Sequence, residues 1–405
     1  MPFMHIGASG DHSVFPSPNT RKIVFITFFS SLYLYNHVGT LYLQARGLNL
    51  LQAGSLWSVI VATIFVAEVP TGVVADRLGR KRAVVAALAL QFLGEALYIF
   101  SSTYLAFAAI AVIAGIGFAF LSGSLEALIY ASLPVDGRED AMKRAMSLNG
   151  GAYYVAFLVA PLVGSLLLPV FVLPRFLFTV FLTACSVFVA LLIALTLDDA
   201  PVAAPDEGTS ALGMVRAGVD CIRANPFLRR LVAISVLTAT FFGTLAALFQ
   251  PYLHEFGWDA RALGLAAAAG AGLAVLVQIS LPTVERVLGK QTTLTLSVLL
   301  PGLGYLLMGV AGGAWIAALA FVLTYGLAEA KNPLLAGYQN SVIPEPIRAT
   351  VLSLISLLVS LYAAVVGLVM GRLADIHVSY PFYLAGALIL FFAAVLRVDT
   401  VLRRQ

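Results

Sequence analysis

Six ionisable side chains lie inside otherwise apolar runs of this 405-residue chain: His37, Glu68, Glu95, Glu126, Glu329 and Lys331. Charge is costly to hold in hydrocarbon, so such groups carry protons, contact solutes or pair with one another. His37 has the chemistry of a coupling-proton carrier near neutral pH, and a helix-to-helix hydrogen bond is the other use of the same ring. Glu126 and Glu329 each suit a proton site, a substrate contact or half of a gate ion pair. Lys331 suits pairing with either carboxylate, neutralising an anionic solute, or extending its ammonium to the membrane interface. Glu68 lies one turn before Gly72 and reads as part of a gate network, whereas Glu95, one turn after Gln91, reads as structural.

These groups fall in polar stripes. Tyr33, Asn36, His37, Thr40 and Gln44 recur at helical spacing and would share one face, which implies a water-lined cavity. Ser122, Glu126 and Tyr130 form a second stripe, and Tyr325, Glu329 and Asn332 a third.

The elements that must position them follow from composition. The chain is 60% hydrophobic and 11% charged with mean hydropathy +0.96, too little charge to cover a water-exposed surface. Near-continuous apolar runs such as 59–67 and 181–197 indicate helices, because a barrel would alternate apolar and polar residues. Runs long enough to cross a bilayer predict helices over 23–44, 52–75, 83–100, 104–131, 146–168 and 174–197, then 230–252, 262–284, 291–311, 313–340, 349–374 and 380–398. The predicted fold class is an all-α polytopic membrane protein with twelve crossings in two six-helix bundles, residues 23–197 and 230–398. Residues 1–22 and 399–405 are predicted tails, the first disordered, and 198–229 a linker. Within that linker Leu212, Val215, Val219 and Ile222 recur at helical spacing, which fits an interfacial amphipathic helix or a plain tether.

Basic residues test the topology, since short cytoplasmic loops collect Lys and Arg. With both termini inside, nineteen of the 24 basic residues face inward, Arg46, Arg175, Arg261 and Arg372 face outward, and Lys331 stays in a span. The net charge of +4 therefore marks a membrane face and gives no reason to expect nucleic acid. Cys185 and Cys221, one in a span and one in the linker, suggest no disulfide. The halves echo each other weakly: Leu133-Pro134 before Arg144-Ala-Met-Ser-Leu matches Ile343-Pro344 before Arg348-Ala-Thr-Val-Leu-Ser-Leu.

The most specific feature joins the second and third predicted crossings: Gly72-Val-Val-Ala-Asp76-Arg77-Leu-Gly79-Arg80-Lys81-Arg82. It resembles the loop signature of the major facilitator superfamily at every defining position. Glu68-Val-Pro70-Thr, Ser122-Gly-Ser-Leu-Glu126-Ala and Arg348-Ala-Thr-Val-Leu-Ser are similar to further segments of that family. The resemblance spans the chain beyond residue 22 and implies that helices one, four, seven and ten line a central pathway. Physically, Gly72 permits close helix approach, Gly79 can take positive φ, and Asp76 suits the amino end of a helix from the other half, near Arg348. Glu68, Arg144 and Arg348 are the expected supports of such an inner gate, and the basic residues also anchor to head groups.

The resemblance implies a secondary transporter, with efflux of a small organic compound coupled to protons as the leading expectation. Uptake or export of a nutrient or metabolite is the alternative. The family's drug antiporters carry an Arg ahead of a Gly-x-Gly in the fourth helix, where this chain has Ala111-Val-Ile-Ala-Gly115-Ile-Gly117. Their glycine-rich fifth-helix pattern is reduced here to Ala156, Ala160-Pro161, Gly164 and Ser165. The expected partners are a small-molecule substrate and the lipid bilayer, with no cofactor beyond a proton gradient, no metal and a monomeric state. A bacterial inner membrane is the expected location. A lipid-modifying membrane enzyme would need a polar catalytic cluster, and His254, Glu255 and Asp259 are the only approach to one.

Overall fold

The computed structural model describes residues 14–122, 124–133, 137–198 and 211–402. The first thirteen residues of the predicted tail, Gly123, residues 134–136, linker residues 199–210 and the last three residues lie outside the described residues.

Side-chain caps start five of the helices. The Ser17 hydroxyl accepts from Thr20 N, with Pro18 following, and starts α1 (Pro18–Ser30) five residues before the predicted crossing. A short turn at Asn36–Val38 leads into α2 (Gly39–Ala45). Asn49 and Gln52 form a reciprocal capping box at the head of α3 (Leu50–Leu78). Then follow α4 (Arg80–Phe100), α5 (Tyr104–Leu121), α6 (Ser124–Ala131), α7 (Arg138–Leu167) and α8 (Leu173–Leu195). The linker contains α9 (Ala211–Ala224), so its periodic stretch is helical. The second half holds α10 (Pro226–Leu237), α11 (Phe242–Glu255), α12 (Ala260–Leu288), α13 (Lys290–Val310), α14 (Ala314–Leu327), α15 (Lys331–Asn340), α16 (Arg348–Ile376) and α17 (Tyr380–Val395).

The two halves repeat with an offset of 210 residues: Leu50 and Ala260 open α3 and α12, Arg80 and Lys290 open α4 and α13, and Arg138 and Arg348 open α7 and α16. Gly79 and Gly289 sit at the same turn with φ of 93° and 80°, a conformation that disfavours any residue with a Cβ. The weak echo in sequence is thus a structural repeat, of the kind that builds transporters from duplicated bundles.

Eleven helical stretches among the described residues are long and apolar enough to cross a membrane. Their outer faces carry bulky apolar groups such as Phe100 and Trp315, each more than four-fifths exposed, as lipid-facing surfaces require.

The predicted first crossing differs from expectation, because 23–44 is not one helix. The chain leaves helical geometry at Ser31, and its freed backbone groups are taken up by side chains of neighbouring helices. Thr183 Oγ1 accepts from Leu34 N (3.1 Å), Ser186 donates to Phe29 O (2.7 Å) and Gln91 donates to Ser30 O (2.8 Å). Gln250 of α11 accepts from Thr40 N (2.7 Å) and donates to Asn36 O (2.8 Å). The predicted fourth, seventh and tenth crossings are also interrupted, between Leu121 and Ser124, between Leu237 and Phe242, and between Leu327 and Lys331. Interruption therefore falls on crossings one, four, seven and ten, the four that the resemblance assigns to a central pathway.

Candidate functional site

Contacts between the halves gather toward one end of the bundle, opposite the end at which α1 begins and α17 finishes. There the Asp375 carboxylate of α16 accepts from Leu50 N at 2.6 Å, and Pro169 O accepts from Arg261 N at 3.1 Å. The helices meet at backbone distance: a Cβ at Gly371 would sit 2.9 Å from Leu51 Cα, and one at Gly264 2.8 Å from Pro161 O. At the other end the halves part, and a Cβ at Gly72, Gly150 or Gly151 would meet nothing within 4 Å.

Between the halves lies a cavity of about 570 Å³, within the size range of small-molecule sites. Its N-terminal wall includes Tyr33, Asn36, His37, Gln91 and Asn149, and Phe249, Ala267 and Tyr325 come from the C-terminal half. His37 is wedged among helices. A Cβ at Gly164 of α7 would fall 2.6 Å from its Cε1, and one at Gly264 of α12 3.1 Å from its Cδ2. It is 2% exposed, both ring nitrogens are buried, and the Leu34 backbone is the nearest hydrogen-bonding group to the ring.

A second cavity of about 320 Å³ lies between α3 and the C-terminal half and is lined by Trp57 and Val61 on one side and by Thr240, Phe242, Glu329, Lys331 and Asn332 on the other. Trp57 lines both cavities, and Phe242 of the second packs 4.7 Å from Tyr325 of the first. Lys331 is 2% exposed and joins two interruptions, donating to the Thr238 carbonyl and, at 3.0 Å, to the Thr238 hydroxyl. Its ammonium thus meets the carbonyl end of α10, where the helix dipole favours a cation. Glu329 accepts from Asn332 Nδ2 at 2.5 Å and from the Thr240 hydroxyl at 3.4 Å.

The sequence-derived stripes are partly regrouped. Tyr33, Asn36, His37 and Tyr325 share the larger cavity, while Thr40 is buried and gives its backbone N–H to Gln250. Ser122 and Glu126 are exposed and stand apart from that lining, because the chain breaks between α5 and α6. Lys331 neither reaches the interface nor forms an ion pair with Glu126 or Glu329. Glu95 is buried and accepts from the Tyr35 hydroxyl at 2.9 Å.

The loop signature lies at the parted end. Asp76 belongs to the last turn of α3, Gly72, Arg77 and Arg82 are exposed, and Arg80 and Lys81 are half-buried beyond Gly79. Glu68 and Arg144 are exposed there too, and Arg348 places Nη2 3.5 Å from Ile343 O.

Sequence reasoning missed Gln250, Asn149, Trp57 and Asp375. For Asp375 a signal exists, since Gly371-Arg-Leu-Ala374-Asp375 repeats the spacing of Gly72-Val-Val-Ala75-Asp76. Gln250, a lone amide in an apolar run, had the same signal as the six ionisable groups without the charge.

Comparison with known proteins adds family to geometry. The sequence profile described as Major Facilitator Superfamily matches residues 23–367. The chain is 24% identical over 339 residues to the uncharacterised MFS-type transporter YxaM of Bacillus subtilis (strain 168), covering 79% of this chain and 80% of that one. Among solved structures, the nucleoside transporter NupG superimposes with a TM-score of 0.75 at 14% identity, covering 94% of this chain and 99% of that one. The human organic anion transporter MFSD10 gives 0.63 at 19% identity, covering 94% and 100%. A profile match over most of the chain, joined to duplicated bundles around a central cavity, makes this protein a membrane transporter of the Major Facilitator Superfamily.

Proposed function

We propose that this transporter exports a small organic solute by alternating access, driven by a proton gradient. In this reading the chain crosses the inner membrane of a bacterial cell twelve times as a monomer, with the interrupted stretch 18–45 as the first crossing and both termini cytoplasmic. The parted end then faces the cytoplasm and the joined end is the closed outer gate. The observation that carries the reading is the asymmetry of contact: backbone-level packing at Leu50 and Asp375, and open space at Gly72. Two rigid bundles that rock about the central cavity would exchange these conditions.

Asp76 is then the inner counterpart of Asp375, capping the head of α16 near Arg348 when the inner gate closes, with Glu68 and Arg144 as supports. Coupling falls to the ionisable groups nearest the pathway, Glu329 beside Lys331 and His37 in the cavity wall, with Glu126 at the inner mouth. Vesicles loaded with a broad solute panel and given an imposed pH gradient test this. Gradient-dependent movement of a solute supports it, and gradient-independent flux of every solute moved contradicts the coupling.

Uptake of an uncharged nutrient is a second reading. It is favoured by one observation, a larger cavity lined by no Asp, Glu, Lys or Arg among the described residues, and by the likeness to a nucleoside transporter. Opposite dependence on the direction of the imposed gradient separates the two.

A further inference from the structure

We propose that a cavity of about 470 Å³ within the C-terminal half, at the joined end, binds the head group of a zwitterionic phospholipid, one that carries an ammonium beside its phosphate. The site shares no lining residue with the two cavities described above. The transport reading enters only in naming its leaflet as the outer one.

Three observations converge. First, the cavity lies at head-group depth. The apolar stretches Pro226–Glu255, Lys290–Val310 and Thr350–Ile376 all end at it, and Tyr380–Thr400 begins there. Val310 and Ile376 are each 64% exposed beside it, an apolar flank suited to acyl chains, while tyrosines such as Tyr380 and Tyr383 favour the membrane–water boundary.

Second, the polar groups complement a zwitterion. Glu255 lines the cavity, is exposed and forms no ion pair among the described residues. His377 Nδ1 accepts from Ser379 N at 3.2 Å, so the proton of the neutral ring is on Nε2, which is a donor. A phosphate oxygen suits that donor while the neighbouring ammonium suits Glu255. The lining holds no Lys or Arg among the described residues, so an anionic head group without an ammonium would meet only like charge at Glu255.

Third, Phe256, Tyr380 and Tyr383 bring aromatic rings to the same lining, and ring faces attract an ammonium. Two of these rings are held in place. Tyr380 stacks on His377 with centroids 5.2 Å apart at 26°. Tyr383 lies against α13 at Gly309, where a Cβ would fall 2.7 Å from its Cε1, so the seat of the ring depends on a missing side chain.

The test uses purified full-length protein in maltoside detergent with Cys185→Ser, Cys221→Ser and Ile376→Cys, the last carrying an environment-sensitive fluorophore at the rim of the cavity. Dihexanoyl phosphatidylethanolamine, phosphatidylcholine and phosphatidylglycerol are titrated below their micelle-forming concentrations, with glycerophosphocholine as the arm that lacks acyl chains. At least one zwitterionic lipid should bind about three-fold tighter than phosphatidylglycerol, the scale of one exposed charge pair with a cation–π contact. Glu255→Gln, an exposed and nearly isosteric change, should abolish that preference, and Glu255→Asp should keep part of it. Equal or tighter binding of phosphatidylglycerol, saturable binding by none of the lipids, or a preference that survives Glu255→Gln overturns the proposal. Glycerophosphocholine binding as tightly as the lipids would overturn the assignment to a lipid. Because the titration needs no gradient, a failure of gradient-driven flux would count against coupled transport alone.

Discussion

Asp375, near the end of α16, holds the first turn of α3: one carboxylate oxygen accepts from Leu50 N at 2.6 Å and the other lies 3.4 Å from Leu51 N. A helix head presents unsatisfied N–H groups and a positive dipole end, so a carboxylate there satisfies both. Because α3 and α16 belong to different halves, this contact is a latch across the joined end. Asp375→Ala should release it. Charge-assisted hydrogen bonds of roughly 1.5–3 kcal/mol each shift a two-state equilibrium by about ten-fold or more. With Cys185 and Cys221 replaced by Ser, alkylation of Gly54→Cys from the joined end should rise in the Asp375→Ala background. Equal labelling with and without Asp375 would refute the latch.

Glycine packing gives a pair of opposite effects. Gly371→Ala places a methyl 2.9 Å from Leu51 Cα and should disfavour the joined arrangement. Gly72→Ala meets nothing within 4 Å here and should leave this state untouched while hindering closure of the parted end. Protease or alkylation accessibility of the two ends should therefore move in opposite directions in the two variants. Movement in the same direction would count against reciprocal ends.

Gln250 bridges the interrupted first crossing to α11 through Thr40 N and Asn36 O. Gln250→Leu leaves both backbone groups unsatisfied, at a cost of roughly 1–3 kcal/mol each. The thermal midpoint of the purified protein should fall by several degrees. Gln250→Glu, which retains the shape and the acceptor for Thr40 N, should fall less, and equal loss in both would show that the bond to Thr40 N contributes nothing.

Lys331, at the head of α15, donates to Thr238 at the carbonyl end of α10 and so ties two interruptions together. Lys331→Met fills similar volume without the donor and should lower the thermal midpoint and slow flux together. Glu329→Gln keeps its bonds to Asn332 and Thr240 in kind, so it should fold normally and lose gradient dependence while retaining exchange. Unaltered gradient dependence in Glu329→Gln would remove Glu329 from the coupling.

Composition and the run of apolar segments made the helical bundle legible, and Gly72 through Arg82 made the family legible, because loop chemistry at a helix turn is local. The interruptions were not legible. The helix ends at Ser31 because Thr183, Ser186, Gln91 and Gln250, distant in sequence, supply the partners that its backbone gives up. The same holds at Thr238, whose partner Lys331 lies ninety-three positions away and was ambiguous in sequence between pairing and reaching the interface. Glu126 illustrates the reverse error: its spacing from Ser122 placed both on one face only for an unbroken helix.

The most direct test of the account follows two distances at once by double electron–electron resonance in lipid nanodiscs. One label pair spans the parted end, at Leu78 and Leu288, and the other spans the joined end, at Asn49 and His377, all of them exposed positions. Raising the proton concentration or adding a transported solute should shorten the first distance in the same subpopulation in which the second lengthens. Two distances that stay fixed under every condition, or that lengthen together, would contradict alternating access by these two bundles.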